Sequence, residues 1–536
     1  MNITFRADAS TQIGTGHIMR CLTLADALKE QGATCHFICR EHEGNLIELI
    51  KNKGHTVSVL PVPTSCRSEL YSPAPHNAET HLSCNQNSQL AHAHWLGTTQ
   101  EEDARQTIAA LHRHSREGGN LQPTHWLVID HYALDHTWET LLAPHTDKIL
   151  VIDDLADRKH HCNILLDQNL GKTSADYQQL VPEHCALLLG PEYALLQPQY
   201  AELRPRTPPR QGSIKNILIY FGGSDQHDLT GMATQACLQL NRPDIQLNVV
   251  MGNSYPHPEK PQQLAHTHSN IRLHQNLPSL APLMLQADLA IGAGGSTSWE
   301  RCCLGLPAII VTLAENQIPI AQELHQQKLA HWLGNAEDAN TPAIQQTLNE
   351  VLKDEQGLED WSQRCFSVTQ AQGATALAGY MLLNKDTALH ARLANLADEK
   401  RLLDWANDPQ TRQNSFNTAP ITPEQHRQWF YQKLRHPEQS KIYILETANR
   451  LPVGQVRFDW HPEKQVWRIN YVLAPAARGN GLGSKVLGMA LQKMNQETNS
   501  EIYGEVLAKN QISASIFRRL NFLETELDGH LIFTNK

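Results

Sequence analysis

From its first residue this chain alternates short apolar strands with amphipathic helical stretches, and that alternation narrows its possible folds more than any other feature. Strands joined through helices run parallel, so the pattern predicts an α/β protein with helices on both faces of its sheets. A first series of strands is expected at 2–7, 34–39, 55–60, 125–129, 148–152 and 163–166. The first half ends near Arg210, where RPRTPPRQGS reads as a linker because proline interrupts helix and sheet. A second series follows at 216–221, 246–251, 287–291 and 307–311. The expectation is two doubly wound halves, 1–210 and 211–372, with a cleft between them. A linker at 373–387 carries the helical stretch TALAGYMLLN, and a third unit spans 388–536. At 536 residues the chain is too long for one hydrophobic core.

Residues 64–94 break the order with a polar run rich in His, Asn, Ser and Ala, expected to be a mobile surface insertion. The formal charge of -10 argues against a nucleic-acid partner, which would be met by clustered Lys and Arg. Arg6 and Asp8 fall where a signal peptide needs apolar residues, and no run reaches the length of a membrane span, so a cytoplasmic protein without a membrane partner is expected. The 11 cysteines are scattered and stop at Cys365, which suits reduced thiols. The 29 histidines form neither HExxH nor a paired CxxC set, so no metal is expected. Oligomeric state is not legible.

Chemistry concentrates at the ends of strands. In RADASTQIGTGHIMRCLTLADALKEQG a strand, a glycine turn and a helix follow one another, with Ile18, Cys21, Leu22, Ala25 and Leu28 on the helix's apolar face. His17 therefore starts the helix. Gly14 and Gly16 allow a ligand close to the backbone, and the helix N-terminus favours negative charge. Arg6, Asp8 and Arg20 are further candidate substrate contacts. DHYALD puts Asp130, His131 and Tyr132 at the carboxyl end of another strand, and DDLADR and DQN end the next two. Ligands of open parallel sheets gather at those ends. Each Asp or Asn there can equally cap a helix or turn.

In the second half, FGGSD offers amides of Gly222, Gly223 and Ser224, and IGAGGSTSWERCCLGLPAIIV repeats strand, turn and helix with Gly294, Gly295, Ser296 and Thr297. Such turns suit a diphosphate, and Glu300 is placed to accept hydrogen bonds from ribose hydroxyls. Asn316 and Gln317 follow the next strand and face the same cleft. Together these point to a nucleotide diphosphate. Near the C-terminus, INYVLAPAARGNGLGSKVLGMALQKM sets a glycine loop between strand and helix, so its amides can cradle a pyrophosphate. Leu473, Arg478, Gly479, Asn480, Gly481, Leu482 and Gly483 are the candidate coenzyme A contacts.

RADAS, IGTGHIMRCL, DHYALD, DDLADR, FGGSD and GAGGSTSWE, over about residues 1–370, resemble the UDP-sugar hydrolases of pseudaminic acid biosynthesis. That resemblance implies two Rossmann-like halves in a GT-B-like arrangement. It implies metal-free hydrolysis of UDP-2,4-diacetamido-2,4,6-trideoxy-β-L-altropyranose at the anomeric carbon, with His17 as general base and Tyr132 and Asn316 positioning substrate and water. Residues 388–536 resemble the GNAT N-acetyltransferases, which implies an α+β domain and acetyl-CoA as co-substrate. On that resemblance EVLAKNQISASIFRRLNF adds Asn510 and Ser513 to the coenzyme contacts. Many GNAT enzymes protonate the departing thiolate with a tyrosine where this chain has Phe517. Tyr471, Tyr503 and Glu505 are the replacements to weigh, and Glu505 can instead pair with Lys509. The pathway implies that the C-terminal domain acetylates the 4-amino group before the hydrolase acts. Two readings stand beside this one: a glycosyltransferase that needs a sugar acceptor, and a nucleotide-sugar-binding regulator.

Overall fold

Runs of Val, Ile, Leu and Phe bounded by turn residues form strands wherever helices cover both sheet faces, as β1 (Asn2–Ala7) illustrates with five consecutive buried residues. The computed structural model describes residues 1–62, 90–117, 123–223, 225–252, 254–354, 356–527 and 529–535. The chain divides into two compact units. One holds Met1–Pro182 and Leu188–Ala378, the other Glu183–Leu187 and Gly379–Lys536.

β1, β2 (Thr34–Arg40), β3 (Thr56–Leu60), β4 (Thr124–Asp130), β5 (Thr146–Ile152), β6 (Ile164–Asp167) and β7 (Ala186–Leu189) build one sheet in the order β3-β2-β1-β4-β5-β6-β7. A second sheet contains β8 (Asn216–Tyr220), β9 (Gln246–Met251), β10 (Ile271–Gln275), β11 (Leu289–Ala293), β12 (Ala308–Thr312) and β13 (Ala330–Asn335), ordered β10-β9-β8-β11-β12-β13. Both are doubly wound, Rossmann-like halves. Each reverses direction beside its first strand, at β1/β4 and β8/β11, where such sheets bind ligands. The expected strands all appear. Sequence reading missed β7, β10 and β13. β10 and β13 end their sheets and are only partly buried (IRLHQ and AHWLGN), so they lack the apolar run that marks a central strand.

Two boundaries differ from expectation. The Pro- and Arg-rich stretch is not a free linker: Arg204 donates to the carbonyls of Cys303 and Phe366 at 2.7 Å, and Arg210 to those of Ala287 and Met284 at 3.0 and 2.6 Å. Ala194, Leu196 and Tyr200 already pack into the second half's core, so that half begins before residue 211. The helical stretch expected within 373–387 forms the helix Gly373–Leu382. Of the insertion at 64–94, residues 64–89 lie outside the described residues, whereas 90–94 lead into an ordered 3-10 helix, Ala93–Leu96.

The second unit carries a mixed sheet of β14 (Leu389–Leu393), β15 (Ser440–Thr447), β16 (Pro452–His461), β17 (Val466–Leu473), β18 (Ile502–Leu507), β19 (Leu523–Leu527) and β20 (His530–Thr534), ordered β14-β15-β16-β17-β18-β20-β19. Only β17 and β18 are parallel neighbours among the described pairs, joined through the helix Gly483–Glu497. Their pairing runs from Trp467↔Ile502 to Ile469↔Gly504 and stops, although the strands continue to Leu473 and Leu507. They therefore part toward their carboxyl ends.

Candidate functional site

The helix Gly16–Glu30 is the next element after β1, and its first turns aim three side chains, His17, Arg20 and Cys21, at one carboxylate. Spacing of three and four residues puts them on one face. The target is Asp130, the last residue of β4 and fully buried. His17 Nδ1 lies 2.5 Å from Asp130 Oδ1, while Arg20 donates through Nε and a terminal nitrogen at 2.6 Å each. Burial alone would raise the Asp130 carboxyl, but Arg20 and His17 hold it well below the usual carboxylate range. The hydrogen bond at Nδ1 leaves Nε2 as the basic nitrogen of the ring.

Arg20 also reaches Asp154 at 3.1 Å, and Asp154 accepts a short hydrogen bond from the Tyr132 hydroxyl. Burial and Asp154 push that phenol far above its ordinary range, so it stays protonated. Its ring stands 4.7 Å from that of His17 at 80°. Gly14 adopts φ +78, where only glycine is unstrained, and a Cβ at Gly14 or Gly16 would meet nothing within 4 Å. The helix start is open, with no side-chain cap from Thr15.

Arg6 and Asp8 are placed elsewhere. Both are fully buried: Arg6 pairs with Asp8 at 2.8 Å and with Asp103 at 2.7 Å, and Arg40 joins Asp103 at 2.6 Å. They tie β1 and β2 to the helix Gln100–Glu117 rather than facing a ligand. His131 turns inward as well, 3.4 Å from Asp8.

In the second half, Gly222 has φ +93, and Gly252 lies so close that a Cβ there would sit 2.2 Å from the Gly223 carbonyl oxygen. Ser224 lies outside the described residues. Sequence reading missed Asp225, whose carboxylate accepts from the amides of Leu229 and Thr230 and caps the following helix. Gly294, Gly295, Ser296 and Thr297 form the turn after β11 that leads into the helix Thr297–Cys303. Gln317 lies against that turn, its Nε2 3.4 Å from a Cβ built on Gly295 and its Oε1 accepting from Leu313 N at 2.9 Å. Arg301, also missed, is buried and braces the turn by donating to the Ala293 carbonyl at 2.8 Å. Glu300 shares a hydrogen bond with Tyr200, and burial raises its carboxyl to about 7. Asn316 is exposed in the turn after β12, and no described hydrogen bond or ring contact joins it to His17 or Tyr132.

In the second unit the loop after β17 has Gly479 and Gly481 both at φ +74, and Leu482 leads into the helix Gly483–Glu497 without a side-chain cap. Gly483 is needed for packing, since its Cβ would meet Ile516 Cδ1 at 2.4 Å. The Ser484 hydroxyl in the first turn is buried without a partner, which fits a polar ligand there. The Arg478 guanidinium is engaged by Asp408 at 2.7 Å and by Gln410 and Thr411 at 2.8 Å each, so it fastens the loop. Asn480 donates to the Ala477 carbonyl at 3.3 Å, and the Leu473 carbonyl faces Arg478 at 3.5 Å. Asn510 caps the helix Gln511–Arg519 by accepting from Ser513 N at 3.1 Å, and Ser513 Oγ is 2.9 Å from the Tyr471 hydroxyl. Glu505 pairs with Arg468 at 2.7 Å, not with Lys509.

Residues 217–377 match the glycosyltransferase family 28 C-terminal domain, and residues 389–523 match the acetyltransferase (GNAT) domain. The UDP-2,4-diacetamido-2,4,6-trideoxy-beta-L-altropyranose hydrolase of Campylobacter jejuni is 28% identical over 318 residues, covering 59% of this chain and 93% of its own. The chain joins a region similar to that hydrolase to a GNAT domain. An uncharacterized protein of Methanocaldococcus jannaschii is similar from end to end, 20% identical over 540 residues that cover 98% of this chain and 97% of its own. The crystal structure of Acinetobacter baumannii MurG covers 71% of this chain and 99% of its own at 14% identity and a TM-score of 0.47. The GNAT domain implies use of acetyl-CoA. Among the described residues, no group of three His, Cys, Asp or Glu is placed to hold a metal ion, and no helix is long and apolar enough to cross a membrane.

Proposed function

We propose that the first unit hydrolyses a UDP-linked diacetamido-trideoxy sugar of the kind named for the Campylobacter relative, and that the GNAT domain makes this substrate by acetylating its 4-amino precursor. The observation that carries the reading is the His17–Asp130 pair at the switch point of the first sheet. Asp130 holds the Nδ1 proton and stabilises the imidazolium, so Nε2 takes a proton from water as its oxygen attacks the anomeric carbon. The bond from that carbon to the diphosphate oxygen breaks with its electron pair on UDP. Amides of the turns at Gly222–Gly223 and Gly294–Gly295 stabilise the charge that develops there. Tyr132 positions substrate from beside His17, and Asn316 approaches from the second half.

In the GNAT domain the amine attacks the thioester carbonyl, the carbon–sulfur bond breaks with its electron pair on sulfur, the nitrogen loses one proton to solvent and the departing thiolate gains one. Tyr471, whose hydroxyl meets Ser513 where β17 and β18 part, is better placed for this than Glu505, which is held by Arg468. The product of the C-terminal domain is then the substrate of the N-terminal unit. Supplying UDP-4-amino-4,6-dideoxy-β-L-AltNAc with acetyl-CoA and following products by mass should show N-acetylation, then free sugar and UDP. His17→Asn should stop at the acetylated UDP-sugar while retaining UDP binding. The match to a glycosyltransferase domain favours a second reading, transfer to a sugar acceptor. UDP released from the acetylated substrate in water alone rules it out, and release only with an added acceptor overturns the hydrolase.

A further inference from the structure

Trp95 and His92 stand beside His17 although Trp95 belongs to no motif discussed above and His92 lies in the polar run 64–94. The 3-10 helix Ala93–Leu96 carries Trp95 against Tyr132, with ring centroids 5.6 Å apart and planes at 26°. The same indole lies 6.3 Å from the His17 ring, edge to face. His92 completes the wall, 4.4 Å from Trp95 and 5.4 Å from Tyr132. The turn is fixed from below: Leu96 is 1% exposed, Trp95 N donates to the His92 carbonyl at 2.9 Å, and Gly97 takes φ +67 against His42. Trp95 and His92 themselves remain half-buried.

This wall differs in kind from everything around it. Arg20, Asp130 and Asp154 satisfy one another, leaving an aromatic surface beside the His17 ring. Burial lowers the basicity of His92, which favours its neutral form, and the Arg158 guanidinium 5.8 Å from the Tyr132 ring is paired with Asp153 and Asp157. An uncharged aromatic surface offers nothing to a diphosphate and much to a planar, methyl-bearing amide.

We propose that Trp95, with His92, forms a sub-site for an acetamido group of the substrate sugar, setting the anomeric carbon against His17. The proposal rests on the hydrolase reading of the first unit, and it makes the site a reader of N-acetylation. Truncating such a wall should weaken the sugar nucleotide about 10-fold or more.

The test uses the full chain carrying His17→Asn, so that binding is measured without turnover. Dissociation constants are taken by calorimetry for UDP, for the UDP-diacetamido sugar and for its 4-amino precursor, with and without Trp95→Ala. Weakening of a sugar nucleotide at least 10-fold with UDP unchanged within about twofold is the expected result. Loss on both sugars assigns the acetamido group at C2, and loss on the diacetamido sugar alone assigns the one at C4. Trp95→Phe should restore most of the affinity, and His92→Ala should repeat the ligand pattern more weakly. Equal weakening of UDP and sugar nucleotides, or no change in a folded Trp95→Ala protein, overturns the sub-site. Absence of UDP release by the unsubstituted chain counts against hydrolysis instead, and leaves the binding result to decide the sub-site.

Discussion

Replacing Asp130 with asparagine keeps the shape of the side chain and removes only its charge and one acceptor. The remaining oxygen can face His17, setting an amide NH2 against Arg20 Nε, or face Arg20 Nε, inverting the His17 tautomer. Either way, on the proposed hydrolysis, the imidazolium formed at His17 during water attack loses its counter-charge. Two unit charges about 4 Å apart at an effective dielectric of about 20 interact by about 4 kcal/mol, which is about three decades in rate. That falls inside the roughly 10²- to 10⁴-fold contributed by a positioned general base. Arg20 keeps Asp154 as a partner at 3.1 Å, so the stability loss should stay at or below the roughly 3 to 5 kcal/mol typical of a broken buried pair. The assay is continuous UDP release by the full chain, with UDP affinity measured separately. Asp130→Asn should lower kcat/KM about 10³-fold with UDP binding retained. A kcat/KM within threefold of the unsubstituted chain, or a loss matched by lost UDP affinity, would refute the dyad.

Burial raises Glu300 to about 7 from an ordinary value of 4.5, so the folded protein binds a proton that the unfolded chain has released between those limits, and stability falls as pH rises across that window. Glu300→Gln should therefore leave the unfolding free energy of the first unit, read by urea titration, unchanged near pH 4 and raise it at pH 8, by no more than about 3.5 kcal/mol at about 1.4 kcal/mol per pH unit. Gly252→Ala drives a methyl into the carbonyls of Gly222 and Gly223, and an overpacking cost of about 1 to 3 kcal/mol should distort that turn. UDP affinity should fall at least 10-fold by calorimetry while acetyl-CoA consumption is unchanged. Tyr471→Phe should lower kcat for acetyl transfer about 10²-fold with little change in the KM for acetyl-CoA, and Ser513→Ala, which keeps the phenol, should cost less.

Much of this molecule was written locally. Strand 2–7 was legible because parallel strands buried on both faces must be apolar throughout, and the glycine turns were legible because positive φ demands glycine at Gly14, Gly222, Gly479 and Gly481. His17 and Asp130 could each be named from motifs at strand ends, but 113 residues separate them, and no local pattern says that they meet. The order β3-β2-β1-β4 decides it, by placing β4 beside β1. The same long-range pairing sent Arg6 and Asp8 into the interior, since residue type alone does not reveal which face of a strand a charge occupies. Arg204 and Arg210 read as linker because their partners are backbone carbonyls, which every sequence possesses and none advertises. Sequence by itself set the α/β alternation, the glycine turns after β8 and β11 and the glycine loop after β17, all consequences of short-range geometry. Tertiary structure alone decided which charges are buried in pairs, and it brought Trp95, just beyond a polar insertion, to the edge of His17, because contact between distant segments depends on sheet order and not on spacing along the chain.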